Sequence, residues 1–278
     1  MLKGPFLDKN FIGSTNSFDD SHIVMLGAPM EATLSNRPGT RFAPQAMRLE
    51  SVGIEVYSPT FNKKLEDTKF YDAGDLELPF GNPRKALDII KENTKQIYSQ
   101  NKKILGIGGE HLITLAEIEA IKEFYSDLAV LQFDAHTDLR EEYLGEKLTH
   151  SGVMRQIGNI IGFENIAQIG IRSGEDYEFE LMKKYKTQIF EFNELNRLKG
   201  KNIFLTIDLD CLDPSVMPGV GTAEAGGLTY RELISWLKEV QKLNIIGADI
   251  VELAPDLDPS KTSTATACTL TREVLMLL

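Results

Sequence analysis

Six short apolar runs, each closed by glycine, proline or a charge, constrain this 278-residue chain more than any other feature. They are "HIVMLGAP" (22–29), "KKILGIGG" (102–109), "LAVLQFDAH" (128–136), "IAQIGI" (166–171), "NIFLTIDLD" (202–210) and "NIIGADIVEL" (244–253). Stretches such as "LAVLQF" and "IFL" are nearly continuous in hydrophobicity, as strands buried on both faces must be. Amphipathic segments alternate with them at 83–99, 112–125, 175–185, 229–241 and within 262–278. Thr229, with Glu232 three residues on, has the spacing of a capping box at the start of the fourth segment. The alternation predicts a parallel sheet with helices on both faces, in one domain over residues 1–278. Residues 30–40 and 211–227 read as long loops, which in a compact domain are more often functional than idle.

Ligands of open α/β sheets bind outside the carboxyl ends of the strands. That rule collects the polar residues at one edge. Glu110 and His111 follow the second run, Asp134, His136 and Asp138 close the third, Asp208, Asp210 and Asp213 close the fifth, and Glu252 closes the sixth. In a plain strand, alternation would send Asp134, His136 and Asp138 to the same face. Carboxylates crowded there repel, and burial strengthens the repulsion. An isolated Asp after a strand is ordinarily a cap or turn residue, and a lone His an ordinary polar residue. Three strand ends reading "GGEH", "DAHTD" and "DLDCLDP" are hard to explain as separate accidents. Asp134, Asp138, Asp208 and Asp210 with His111 and His136 make four carboxylates and two imidazoles, a charge that two divalent cations would balance. Oxygen and nitrogen donors without thiolate favour Mn²⁺ or a similar ion over structural zinc, and carboxylates can bridge ions roughly 3.5–4 Å apart.

Composition narrows the partners. Lys and Arg number 30 against 41 Asp and Glu, a net charge of −11, with no basic run to hold nucleic acid. No apolar stretch approaches the roughly 20 residues that span a bilayer, and the N-terminal segment lacks the apolar core of a signal peptide. Cys211 and Cys268 lie far apart and form no CxxC pair. The expected location is the cytoplasm, without nucleic-acid or membrane partners.

"GGEH" (108–111), "DAHTD" (134–138) and "TIDLDCLDPSVMPGVGTAEAGGLTYRE" (206–232) resemble the motifs of the ureohydrolases, the arginase and agmatinase family. "GAP" (27–29), "RPGTRFAPQAMR" (37–48), "IGIRSGE" (169–175) and "DIVELAPDLDP" (249–259) resemble further family segments in the expected order. The resemblance implies an arginase-like fold: three α/β/α layers around a mostly parallel eight-stranded sheet. It implies two Mn²⁺ per subunit, one held by His111, Asp134, Asp138 and Asp208, the other by Asp134, His136, Asp208 and Asp210. It also implies a homo-oligomer, trimer or hexamer, acting on a small cationic guanidino substrate.

The chemistry implied is attack of activated water on a guanidinium carbon, releasing urea and an amine. Asp138 would relay the proton to the amine, His150 would shuttle protons to solvent, and Glu252 would pair with the guanidinium. Substrate choice is expected in the loop 139–149, "LREEYLGEKLT", which resembles agmatinase sequences more than arginase ones. Its Glu141, Glu142 and Glu146 suit the ammonium of agmatine, with Glu142 and Glu146 as candidate substrate contacts alongside His150 and Glu252. Other guanidino compounds (guanidinobutyrate, an aminopropylated agmatine, arginine) are the alternatives, together with a non-catalytic metal-binding member. A two-metal phosphoesterase lacks its Lys/Arg clamp near the motifs, and a one-zinc deacetylase leaves the second ligand set unused.

Overall fold

The computed structural model describes residues 10–15 and 17–278, organised by a seven-stranded sheet in which every pairing is parallel. The strands are β1 (Ile23–Ala28), β2 (Phe70–Asp75), β3 (Lys103–Gly108), β4 (Leu128–Phe133), β5 (Ile166–Ile169), β6 (Asn202–Asp208) and β7 (Asn244–Val251). Across the sheet they run β2-β1-β3-β7-β6-β4-β5. The helices are α1 (Ala43–Glu50), α2 (Pro83–Ser99), α3 (Ile113–Ile121), α4 (Val153–Ile161), α5 (Asp176–Tyr185), α6 (Tyr230–Val240) and α7 (Thr262–Leu275).

Strand alternation divides the core into two layers. In β4, Val130 packs with Ile90 of α2, Ile113 of α3 and Ile157 of α4. Its neighbours Ala129, Leu131 and Phe133 face the other way, into the cluster holding Met47 of α1, Leu237 of α6 and Leu270 of α7. The architecture is the expected α/β/α sandwich, and α6 starts with the capping box of Thr229 and Glu232.

The sheet differs from expectation in strand number. Seven strands are present among the described residues where eight were expected; the short antiparallel pair Tyr57–Ser58 and Lys63–Lys64 stands apart. Six strands coincide with the apolar runs. The seventh, β2, reads "FYDAGD" and lies at the sheet edge, where a strand needs no continuous hydrophobicity, so a search for apolar runs passes over it. Helix α1, of 8 residues, completes barely two turns and shows too few repeats to register as a periodic segment.

A second correction concerns the strand ends. The runs 128–136 and 202–210 stop as strands at Phe133 and Asp208. Asp134, His136 and Asp138 therefore lie on a turn, and Asp138 adopts a left-handed backbone (φ 53°) that no strand contains. Strand alternation does not bring these three side chains together; the turn does.

The edge strand β2 is tied to α1 by a buried ion pair. Arg48 donates from Nε to Asp72 Oδ2 (2.8 Å) and from Nη2 to Oδ1 (2.8 Å), and also bonds Asp75. Asp72 Oδ2 further accepts the Phe11 N–H at 2.8 Å. Two-point geometry and complete burial make removal of one partner costly, because the other charge stays buried and unpaired. Arg48→Met is expected to destabilise the protein by about 3–5 kcal/mol, and Arg48→Met combined with Asp72→Leu by clearly less. Urea unfolding midpoints of the two variants check both.

Candidate metal centre

Four adjacent strands, β3, β7, β6 and β4, end at one edge of the sheet, and each carries polar residues just past its last ladder position. The turn after β3 is unusually close to its neighbour. A Cβ on Gly109 would sit 1.9 Å from the Met30 carbonyl oxygen, so only glycine fits. Met30 O accepts the Glu110 N–H at 2.9 Å. The Glu110 carboxylate, wholly buried, accepts the backbone N–H groups of Ala32 and Thr33 (2.7 and 2.8 Å) and the Thr33 hydroxyl (2.9 Å). Part of the long loop 30–40 is thereby fastened to the turn that presents His111.

The turn after β4 is held as firmly. Ala135 O accepts the Arg172 and Ser173 N–H groups at 2.8 and 2.9 Å, and Thr137 N–H donates to Ser173 O at 3.0 Å. The carbonyl of Asp138 accepts the N–H groups of Met154 and Arg155 at the start of α4 (2.9 and 3.2 Å). Helix α4 thus fixes the left-handed residue that presents a carboxylate, a strained conformation of the kind found at functional sites. Past β6, Asp208 Oδ1 accepts the Asp210 N–H (2.9 Å), and Asp210 Oδ1 accepts the Ala135 N–H (3.0 Å).

These turns bring all six candidate ligands together in two groups. His111 Nδ1 lies 3.1 Å from Asp134 Oδ2, 3.1 Å from Asp138 Oδ2 and 3.3 Å from Asp208 Oδ2. His136 Nδ1 lies 2.9 Å from Asp210 Oδ2 and 3.6 Å from Asp134 Oδ1. Ligand atoms of His111, Asp134 and Asp208, and of Asp134, His136 and Asp210, fall within 4.8 Å of one another, the arrangement that can hold a metal ion. Asp134 belongs to both groups and turns a different oxygen to each.

The electrostatics of the cluster call for positive charge. Burial opposes charge on the imidazoles, yet the carboxylates prevail: the His111 pKa rises well above its ordinary value and that of His136 is pushed up to about 12. Burial, then the charge of Asp134, raises Asp138 to about 6, and burial with the charges of Asp210 and Asp134 lifts Asp208 well above the carboxylate range. His111 Nδ1 is buried without a conventional hydrogen bond although three carboxylate oxygens surround it. An imidazole nitrogen facing three carboxylates is a donor set that fits a cation, which would take the place of its proton.

A cavity of about 390 Å³ opens onto the cluster, lined in part by His136, Asp138, His150 and Asp208. His150 N–H donates to Thr33 Oγ1 (2.9 Å), and its Nε2 accepts the Ser35 N–H (3.3 Å). Its Nδ1 faces Glu252 Oε1 at 3.7 Å. Burial lowers the His150 pKa, but Glu252, by hydrogen bond and charge, raises it to about 8. Glu252 is buried, with a left-handed backbone (φ 68°), and its Oε1 accepts the His111 N–H at 2.8 Å.

Glu142 and Glu146 are not brought into this cavity. Both are exposed; Glu146 closes a turn with Tyr143 (N–H to O distances 2.8 and 3.0 Å) and borders a separate cleft. The glutamates that do line the cavity are Glu178 of α5 and, just before that helix, Glu175, paired with Arg140 at 3.0 Å. Glu224 stands near it, 3.1 Å from Ser173 Oγ and 3.9 Å from His136 Nε2. Both escape the sequence reading, although Glu175 follows β5 and the strand-end rule applied to that strand would have found it. Asp213 holds the loop 211–227 in shape, accepting N–H groups of Ser215, Gly226 and Gly227. Cys211 is a core residue whose burial raises its thiol pKa.

Comparison with known proteins agrees with this geometry. A family model described as the arginase family matches residues 21–277. The agmatinase of Bacillus subtilis is 43% identical over 277 residues, 96% of each chain. A solved structure from Clostridium difficile superimposes with a TM-score of 0.90 at 44% identity, covering 94% of this chain and 98% of that one. The proclavaminate amidino hydrolase of Streptomyces clavuligerus superimposes with a TM-score of 0.86 at 27% identity, covering 98% and 97%. The chain belongs to the arginase family and is a ureohydrolase.

Proposed function

We propose that this ureohydrolase cleaves agmatine to urea and putrescine at a centre of two Mn²⁺ ions, as a cytoplasmic homo-oligomer of single-domain subunits. The observation that carries the choice of agmatine is the charge of the cavity. Its lining includes Glu175 with Asp138, Asp208 and Glu178, while Arg140, the lone Lys or Arg among the described lining residues, is already paired with Glu175, and the imidazoles of His136 and His150 face Asp210 and Glu252. A substrate ending in an ammonium suits that wall; one ending in a carboxylate would find no unpaired cation there. The agmatinase name of a relative that is 43% identical over nearly the whole chain supports the same choice. Two buried, unpaired cysteines suit a reducing compartment.

In this reading His111, Asp134, Asp138 and Asp208 hold one ion, and Asp134, His136, Asp208 and Asp210 hold the other. When bound, the ions supply Lewis acidity and a nucleophile drawn from water near neutral pH. The surrounding residues then do the rest. Glu252 keeps Oε1 on the His111 N–H and pairs with the substrate guanidinium, while its closeness to His150 Nδ1 orients that ring. Asp138, on the cavity wall, passes a proton to the departing amine, and His150 exchanges protons with solvent.

Three outcomes are expected. Elemental analysis of protein loaded with Mn²⁺ and desalted should give about two ions per chain, and chelation should abolish urea release until Mn²⁺ is restored. In a panel of agmatine, arginine, guanidinobutyrate and aminopropylagmatine, agmatine should lead in kcat/KM by at least about tenfold; a preference for arginine overturns the substrate and leaves the chemistry standing. His150→Ala should lower kcat by about 10²–10⁴-fold with both ions retained, and near-normal turnover would remove His150 from the proton path.

A further inference from the structure

A second polar cluster lies directly behind His111, sealed in the core beneath α3, and the cavity does not reach it. Thr206 of β6 and Asp249 of β7 are register partners on neighbouring strands. Thr114 and Glu117 reach them from α3, and none of the four is more than 1% exposed. Space for Glu117 is made by glycine: a Cβ on Gly106, the register partner of Asp249 on β3, would lie 2.3 Å from Glu117 Oε1.

The hydrogen bonds in this cluster have a determinable direction. Thr114 Oγ1 donates to Asp249 Oδ2 at 2.6 Å. Thr206 Oγ1 lies 3.4 Å from Thr114 Oγ1 and 2.8 Å from His111 Nε2. Glu117 Oε2 and Asp249 Oδ1 are otherwise without partners, yet the two carboxyl groups bond each other. Two carboxyl oxygens bond only through a proton, so the pair shares one. Asp249 accepts the Thr114 hydroxyl and no hydroxyl among the described residues bonds Glu117, which makes Asp249 the anion and leaves the proton on Glu117, in keeping with the burial and the charge of Asp249 that raise the Glu117 pKa. With its hydrogen committed to Asp249, Thr114 can only accept from Thr206 at 3.4 Å, so Thr206 offers a lone pair to the imidazole. His111 keeps a proton on Nε2, and Nδ1, facing Asp134, Asp138 and Asp208, is the nitrogen open to a metal ion.

We propose that Glu117, Asp249, Thr114 and Thr206 form a positioning relay that keeps the His111 proton on Nε2 and Nδ1 open to a metal ion, and so sets the affinity of that one position. Carboxylate partners of ligating histidines commonly fix ring orientation and proton position; here two hydroxyls are interposed and a second acid keeps the carboxylate supplied with a donor. The inference rests on the binuclear reading above.

Mn²⁺ titration of the metal-free protein, followed by calorimetry and by elemental analysis after desalting, separates the two ideas. Wild type binding fewer than two ions overturns the binuclear reading itself. Given two, Asp249→Asn should weaken one ion by about 10–100-fold and leave the other unchanged, since the Asn amide donates to Thr114 and reverses the chain of hydrogen bonds through Thr206. Glu117→Gln should bind both ions as wild type does, because its amide supplies the same neutral donor. Thr206→Val should behave as Asp249→Asn does, and Thr206→Ser as wild type. Equal losses in Asp249→Asn and Glu117→Gln, or no rescue by Thr206→Ser, would reduce the cluster to ordinary core packing and overturn the relay.

Discussion

The carboxylate charge gathered around His111 and His136 is the constraint on which the rest of this molecule depends. Four carboxylates within one small volume repel each other, and taking them out of water costs several kcal/mol per ion. The chain does not avoid this cost; it concentrates it. Two turns fasten three of these carboxylates, Asp134, Asp210 and Asp208, with backbone N–H donors from His136, Ala135 and Asp210. The imidazoles respond by binding protons more tightly, the behaviour of a site whose potential is strongly negative. A protein of this kind stores an unfavourable arrangement so that a cation finds it already made.

The parallel sheet makes that concentration possible. Parallel strands point their carboxyl ends the same way, so four neighbouring strands deliver their following turns to one edge without long loops. Helices on both faces exclude water from β4 and β6, leaving the strand ends as the outlet for polar groups. The relay behind His111 belongs to the same logic. A ligand that is itself buried needs its remaining ring nitrogen satisfied from within the core, and Thr206 stands where the adjacent strand can provide it.

Much of this could be read from the amino acids alone, for a physical reason. Buried parallel strands leave continuous apolar runs, and the residues that end them are few, so His111, Asp134, His136, Asp138, Asp208 and Asp210 stood out by position. What escaped was whatever lacks such a signature. Strand β2, at an edge, mixes polar and apolar residues. The mutual approach of Asp134, His136 and Asp138 is set by a left-handed residue, which no periodicity reports. The acids of the loop 141–146 drew notice by their charge, yet Glu142 and Glu146 face solvent and Glu175, thirty residues on, reaches the cavity. Linear charge density is a poor guide where two distant turns fold over one opening. Glu117, in the middle of an apolar helix, carries no local mark of its partnership with Asp249.

The fastening of the loop 30–40 to Glu110 has a consequence for traffic through the site. Ala32 and Thr33 give three hydrogen bonds to a carboxylate with no exposure to solvent, and Thr33 and Ser35 in turn hold His150. Swinging this loop outward would strip a buried anion of its donors, at about 1–3 kcal/mol or more for each group left unmade. The loop is therefore a fixed wall, and not a door. The neighbouring turn at Tyr143–Glu146, which gives Tyr143 to the cavity, is made differently: its Leu144 is 89% exposed and its own bonds are local. Of the two segments, the loop 30–40 is the one built to stay put, and it keeps His150 in register.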